Sequence, residues 1–217
     1  MTMIESSFLG LKDYQESVKL QNDLLLLAEQ SGHSYIIGLE HPGVLTLGYR
    51  ADIYQELNQE ITQDNNLPIE RTSRGGLATI HSEGQLVIYP IVNLRQLNLG
   101  VREYVLLLLQ TTKELLKIFE IESFIDDKAI GLYTNHGKIA FCGIQVKKGI
   151  SQHGLSLNVR NDLSLFNKIR SCGVEYPQLD SLSYYGVSHT LSEIYKLWFE
   201  TFKVKLKEKL SEKSAND

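Results

Sequence analysis

The chain is short of the residues that would tie it to a specialised environment. Only two cysteines occur among 217 residues, Cys142 and Cys172. That is too few for a secreted disulfide framework, and they lack metal-ligand spacing. No apolar run reaches the eighteen or so residues that a membrane-crossing helix needs. The opening MTMIESSFLG carries neither the basic segment nor the apolar core of a secretory signal. Positive charge is scarce as well: 22 Lys and Arg stand against 26 Asp and Glu, for a net charge of −4. Duplex-binding proteins normally show a basic surplus, so nucleic acid is a poor partner. A phosphate-binding P-loop, a G-x-S-x-G elbow and paired His/Cys ligands are all missing. The expectation is a cytoplasmic protein in a reducing compartment, with no metal and no bound cofactor.

What remains is ordinary globular material, 42% hydrophobic and 22% charged. A chain this long buries roughly 70% of its unfolded surface without staples, so one domain over residues 1–210 is expected, with a polar tail at 211–217 that frays. Helical spacing runs from Asp13 to Gln30, with Gly32 as a stop. Ser34 to Glu40, the breaker His41-Pro42-Gly43 and Val44 to Leu47 read as strand, turn, strand. Residues Asp52 to Asn66 are polar and read as a solvated helix and loop. Strands are expected over Leu77 to Ile80 and Gln85 to Leu94, and a long helix over Val101 to Phe119. Ile130 to Val159 reads as a three-stranded meander turning at Asn135-His136-Gly137 and near Lys147-Lys148-Gly149. A capping box, Thr190-Leu-Ser-Glu193, opens the final helix. Strand runs punctuated by separate helices indicate an α+β fold.

Four places carry candidate chemistry. Arg74-Gly75-Gly76 sits between two strands; glycines permit close approach to a ligand, and the arginine could hold a carboxylate, phosphate or carbonyl. The bland reading is a tight turn with a solvated arginine. Cys172 lies in Arg170-Ser-Cys-Gly-Val174, where the arginine and glycine favour a thiolate and access for a carbonyl; a small buried hydrophobe is the alternative. Cys142, inside the apolar run Ile139 to Ile144, reads as packing that lines a pocket. Lys138 opens that run, either as a solvated charge or as a cation beside a cysteine. His81 and His153 read as structural.

Together these motifs resemble one family. Gly38-Leu-Glu-His-Pro-Gly-Val-Leu-Thr-Leu-Gly48, Arg74-Gly-Gly76 with Thr79 and His81, and Gly84-Gln-Leu-Val-Ile-Tyr-Pro90 are similar to segments of the octanoyltransferases of lipoyl synthesis. So are Gly137-Lys-Ile-Ala140, His153-Gly154 with Asn158-Val159, and Asp162-Leu-Ser-Leu-Phe-Asn167 leading to Cys172-Gly173. The resemblance spans about Gly10 to Gly186. It implies mixed, largely antiparallel sheets flanked by helices, like the catalytic domains of biotin and lipoate protein ligases. It further implies that Cys172 takes an octanoyl group from octanoyl-acyl carrier protein as a thioester. The lysine ε-amine of a lipoyl domain then accepts it, on 2-oxoacid dehydrogenase E2 subunits or the glycine cleavage H protein. Lys138 matches the family's lysine, credited with lowering the cysteine pKa and with acid/base work. The substrate-binding segments match Arg74, Gly75, Gly76, Leu77, Ala78, Thr79, Ile80 and His81, then Phe141, Cys142 and Gly143, then Gly154, Leu155 and Ser156.

This chain departs from the family pattern at three points. His81-Ser82-Glu83-Gly84-Gln85 replaces a usual His-Gly-Pro-Gly-Gln, Ile80 replaces tyrosine, and Ser171 stands where proline is common. A lipoate ligase using ATP and a non-catalytic binder of lipoyl domains or carriers remain the competing readings. A local basic face drawn from Lys147, Lys148, Arg160, Lys168 and Arg170 would steer an acidic carrier.

Overall fold

The computed structural model describes residues 3–52, 67–126, 129–169 and 178–215. Along the chain lie β1 (Ile4–Leu11), α1 (Tyr14–Ser31), β2 (Ser34–Glu40), β3 (Val44–Leu47), β4 (Ile69–Arg71), β5 (Ala78–His81) and β6 (Gln85–Ile91). Then follow α2 (Val101–Ile118), β7 (Phe124–Asp126), β8 (Gly131–Thr134), β9 (Gly137–Lys147), β10 (Ile150–Asn158) and α3 (Leu191–Ser214). Short 3₁₀ turns occupy Leu163–Lys168 and Leu182–Tyr185. The expected polar helix and loop fall almost wholly on residues 53–66, outside the described residues.

Every residue of β6 and β10 is buried, and the two pair antiparallel at the centre of the larger sheet. Its order is β1-β2-β6-β10-β9-β8-β7, with only β1 and β2 parallel. Alternation along the central strands feeds two cores. Ile36, Leu86 and Ile88 face α2 and α3, around Tyr104, Leu108, Trp198 and Phe202. Ile37, Leu39, Val87 and Tyr89 face Leu25 and Ala28 of α1 on the other side. Trp198 Nε1 donates to Thr112 Oγ1 at 2.9 Å and ties α3 to α2. The fold is the expected α+β arrangement of mixed, mostly antiparallel sheets between helices.

Local signals place the helix ends. Asp13 accepts from the Gln15 and Glu16 amides, and Gly32, at φ 72°, closes α1. Thr190 and Glu193 form the expected box at the start of α3. Helix α3 runs on to Ser214, past Leu210. Lys213 donates to Asn98 O and pairs with Glu103 at 2.9 Å, fastening the last turn to the start of α2.

A second sheet of order β4-β3-β5 covers its own cluster of Leu45, Leu47, Ile80, Phe166 and Ile169. Phe141, from β9 of the larger sheet, inserts into that cluster and stacks on Phe166 at 5.3 Å. The two sheets meet there. Among the described residues, no helix is long and apolar enough to cross a membrane.

Candidate active site

The glycine-rich segment before β5 folds as a turn, but its arginine is not solvated. Arg74 is 8% exposed. Its Nη2 donates to Thr46 O at 2.7 Å and Thr46 Oγ1 at 2.9 Å, and Nη1 donates to Gly75 O at 3.1 Å. Gly76 takes φ +92°, which a side chain would strain, and a Cβ on Gly48 would lie 2.4 Å from Gly76 O. The Gly75 amide then donates to Ile144 O at 3.0 Å, bridging the small sheet to β9.

This bridge closes one side of a cavity of about 550 Å³. Residues 74–79, His81, residues 141–143 and 154–156, and Lys138 all border it. Ile80 does not: fully buried, it packs in the small-sheet cluster. Alternation along β5 gives Thr79 and His81 one face and Ile80 the other. In β9 and β10 the bordering residues sit in register, Gly143 opposite Gly154, Cys142 opposite Leu155 and Phe141 opposite Ser156.

Lys138 is 4% exposed rather than a solvated surface charge. The β8–β9 register shifts between Leu132 and Tyr133, so Tyr133 faces Lys138 and the lysine is re-aimed inward. Its Nζ donates to Ile130 O at 3.0 Å and Ala129 O at 3.4 Å. The ammonium lies 5.2 Å from the centre of the Tyr133 ring and 4.9 Å from that of Phe141. Gly131 makes room for it, because a Cβ there would sit 2.3 Å from Lys138 Cε. The Lys138 amide donates to Gln178 O at 2.9 Å, and the Asp180 amide donates to Lys138 O at 3.1 Å. Asp180 is itself buried and accepts from Thr134, from Tyr185 at 2.6 Å and from the Ser181 amide at 2.8 Å.

Cys142 borders the cavity as expected. Burial pushes its thiol up to about 12, against an opposing pull from Lys138. It therefore stays protonated at neutral pH and is a poor nucleophile. Cys172 and its neighbours Arg170, Ser171 and Gly173 lie outside the described residues.

Both histidines read as structural border the cavity. Burial, followed by the charge of His41, lowers His81 to about 3. Burial, then Arg74, lowers His153 to about 4. His153 takes φ 55° within β10, and its amide turns to Gln21 Oε1 at 2.7 Å. The sequence reading gave His41 no role beyond a turn, yet it is buried. Its Nδ1 donates to Lys12 O at 2.7 Å, and its Nε2 accepts from Tyr89 OH at 2.8 Å. Tyr89, Gly131 and Asp180 were also passed over; only a tertiary partner distinguishes any of them.

The expected basic face divides. Lys147 and Lys148 flank the β9–β10 turn, and Lys148 pairs with Glu29 at 2.8 Å. Arg160 lies past the opposite end of β10, about 26 Å away at strand rise. Arg170 is outside the described residues. Among those residues, no group of three His, Cys, Asp or Glu side chains could hold a metal ion.

Comparison with known proteins agrees with this fold. The family model of the lipoyl protein ligase A/B catalytic domain matches residues 13–204. An octanoyltransferase from Nitrosococcus oceani is 36% identical over 186 residues, covering 86% of this chain and 81% of that protein. A bipartite lipoate protein ligase from Thermoplasma acidophilum, described with its E2 lipoyl domain, shares the fold. Its TM-score is 0.75 at 12% identity, over 95% of this chain and 85% of the other. Biotin protein ligase from Aquifex aeolicus aligns at TM-score 0.55 and 14% identity, over 97% and 72%.

Proposed function

The chain belongs to the lipoyl protein ligase A/B catalytic-domain family, and from that premise we propose that it is an octanoyltransferase of protein lipoylation. Octanoyl-acyl carrier protein is the donor, Cys172 carries the acyl group as a thioester, and the lysine amine of a lipoyl domain receives it. The acceptors are E2 subunits of 2-oxoacid dehydrogenases and the glycine cleavage H protein. A cytoplasmic setting suits a free nucleophilic thiol.

The observation that carries this reading is the buried Lys138 ammonium at the cavity, held by two backbone carbonyls. A lysine so placed sets a positive charge at the cavity, which favours a thiolate brought near it. The described ends of the chain around Cys172 also support it. Gln178 is bonded to the Lys138 amide, and Ile169 packs in the cluster that holds Phe141. Cys172 follows Ile169 by three positions, a reach of at most about 11 Å.

In the first half-reaction the Cys172 thiolate attacks the donor thioester carbonyl, and the carrier thiol departs. Thioester exchange is nearly isoenergetic, so an activated nucleophile suffices without ATP. The amine of the acceptor then attacks, an amide forms and the thiol is restored. Phe141, Leu155 and Leu77 offer apolar lining for the chain, at about 0.8 kcal/mol per methylene buried.

Intact-mass spectrometry with octanoyl-acyl carrier protein and no ATP tests the proposal. One octanoyl adduct is expected, mapped to Cys172, absent from Cys172→Ala and discharged by a lipoyl domain. Transfer that demands ATP and free acid would replace this reading with a ligase. Binding without any transfer would leave a non-catalytic binder.

A further inference from the structure

One wall of the cavity presents hydrogen-bond acceptors that nothing in the transfer of an alkyl chain requires. The wall begins at His81, whose Nδ1 lies 2.7 Å from Gln85 Oε1. The orientation of Gln85 follows from its other contacts, because its Nε2 faces Ile80 O at 3.5 Å and Asn158 Oδ1 at 2.9 Å. Asn158 is set in turn by donation of its Nδ2 to Asp180 O at 3.1 Å. Backbone carbonyls only accept, so they fix both amides, and the amides fix the imidazole. His81 carries its proton on Nδ1, and Nε2 is a bare lone pair without a hydrogen bond among the described residues. Burial holds the ring neutral, so it cannot donate to an oxyanion from that nitrogen.

Thr79, two residues earlier on the same face of β5, is 7% exposed and borders the same cavity. Its hydroxyl has no partner among the described residues. A bare acceptor and a buried unpartnered hydroxyl on one strand face leave hydrogen-bonding capacity that a ligand donor can complete.

Resting on the transferase reading above, we propose that His81 Nε2, with Thr79 Oγ1 beside it, receives an N–H of the incoming lysine's amine in the second half-reaction. The lysine first loses one proton to solvent. Its lone pair forms the C–N bond at the thioester carbonyl carbon, the C–S bond breaks, and the electron pair leaves on the Cys172 sulfur. The N–H proton given up in amide formation passes to that sulfur and restores the thiol. His81 holds the other N–H and takes no proton, so it orients the attacking lone pair.

Two variants separate this role from a structural one. His81→Asn keeps a donor for Gln85 but removes the acceptor at Nε2, whereas His81→Gln restores an acceptor near that place and loses the Gln85 contact. Acylation by octanoyl-acyl carrier protein and discharge to a lipoyl domain are timed separately by quench and intact mass. For His81→Asn, discharge is expected to slow about 10- to 100-fold with acylation within about threefold of the parent. His81→Gln recovers part of the discharge rate, and hydroxylamine, which needs no positioning, discharges all three alike. Equal slowing of both half-reactions, selective slowing of acylation, or His81→Gln slower in discharge than His81→Asn would overturn the assignment. Failure of the unaltered protein to form any adduct would instead overturn the transferase reading, and this subsite with it.

Discussion

Gly131 offers the most direct test of how the site is built. In Gly131→Ala the new Cβ would stand 2.3 Å from Lys138 Cε, 2.9 Å from Nζ and 2.8 Å from Ala140 O. Ordinary carbon contacts begin near about 3.5 Å, so the lysine side chain must withdraw by about 1.2 Å or more. That movement breaks the 3.0 Å bond from Nζ to Ile130 O, a charged hydrogen bond worth about 1.5–3 kcal/mol. The Ala140 carbonyl cannot swing away as easily, because it belongs to β9. A displacement of roughly 1 Å at a reacting group can reduce a rate by about 100-fold. Cys172 acylation, followed by quenched mass spectrometry, is therefore expected to fall about 100-fold. Unfolding should shift by only about 2–4 °C for each kcal/mol lost. Acylation within twofold of the parent would show that the buried ammonium has no part in the chemistry.

Three other outcomes follow from contacts already described. Cys142→Ala should still form the octanoyl adduct, and the Cys142 thiol should alkylate slowly at neutral pH, since its ionisation lies near 12; an adduct mapped to Cys142 would contradict this. His41, His81 and His153 are all held well below the ordinary 6.5 in the folded chain. The unfolded chain then binds more protons as pH drops below about 6.5. Stability is complete above that value and declines toward about pH 4, by up to about 1.4 kcal/mol per pH unit for each histidine; a urea midpoint unchanged across that window would refute the burial argument. Asp180→Ala strands the hydroxyls of Thr134 and Tyr185 and the Ser181 amide, and should cost about 3–5 kcal/mol, measured by denaturant titration.

Local rules made much of the fold readable. Gly32, Thr190 with Glu193, and the Asn135-His136-Gly137 turn mark their element boundaries with chemistry that needs no distant partner. Strands β1, β4 and β7 escaped because edge strands are short or half polar. Their identity depends on neighbours such as Ser34 to Glu40 for β1, far along the chain. The site divides the same way. Arg74-Gly75-Gly76 announced a loop built for close approach, but the contact that buries the arginine comes from Thr46, two strands earlier. Lys138 could be placed at the head of an apolar strand. That it turns inward depends on a bulge and on the absence of a side chain at Gly131, neither of which leaves a mark in local composition. Ile80 was grouped with its neighbours by motif, while the pleat sends it to the other side.

The hydrogen bond from the Gly75 amide to Ile144 O has a consequence for how selectivity could change. Together with Gly143, where a Cβ would meet Gly75 O at 2.8 Å, it makes one side of the cavity out of main chain. A wall of peptide groups cannot be widened by trimming a side chain, nor narrowed without forcing the two sheets apart. Any drift in the acyl group admitted must therefore come through side chains that border the cavity, such as Leu77, Val87, Val105, Phe141 and Leu155. The slot is fixed in gauge on one side and adjustable on the other.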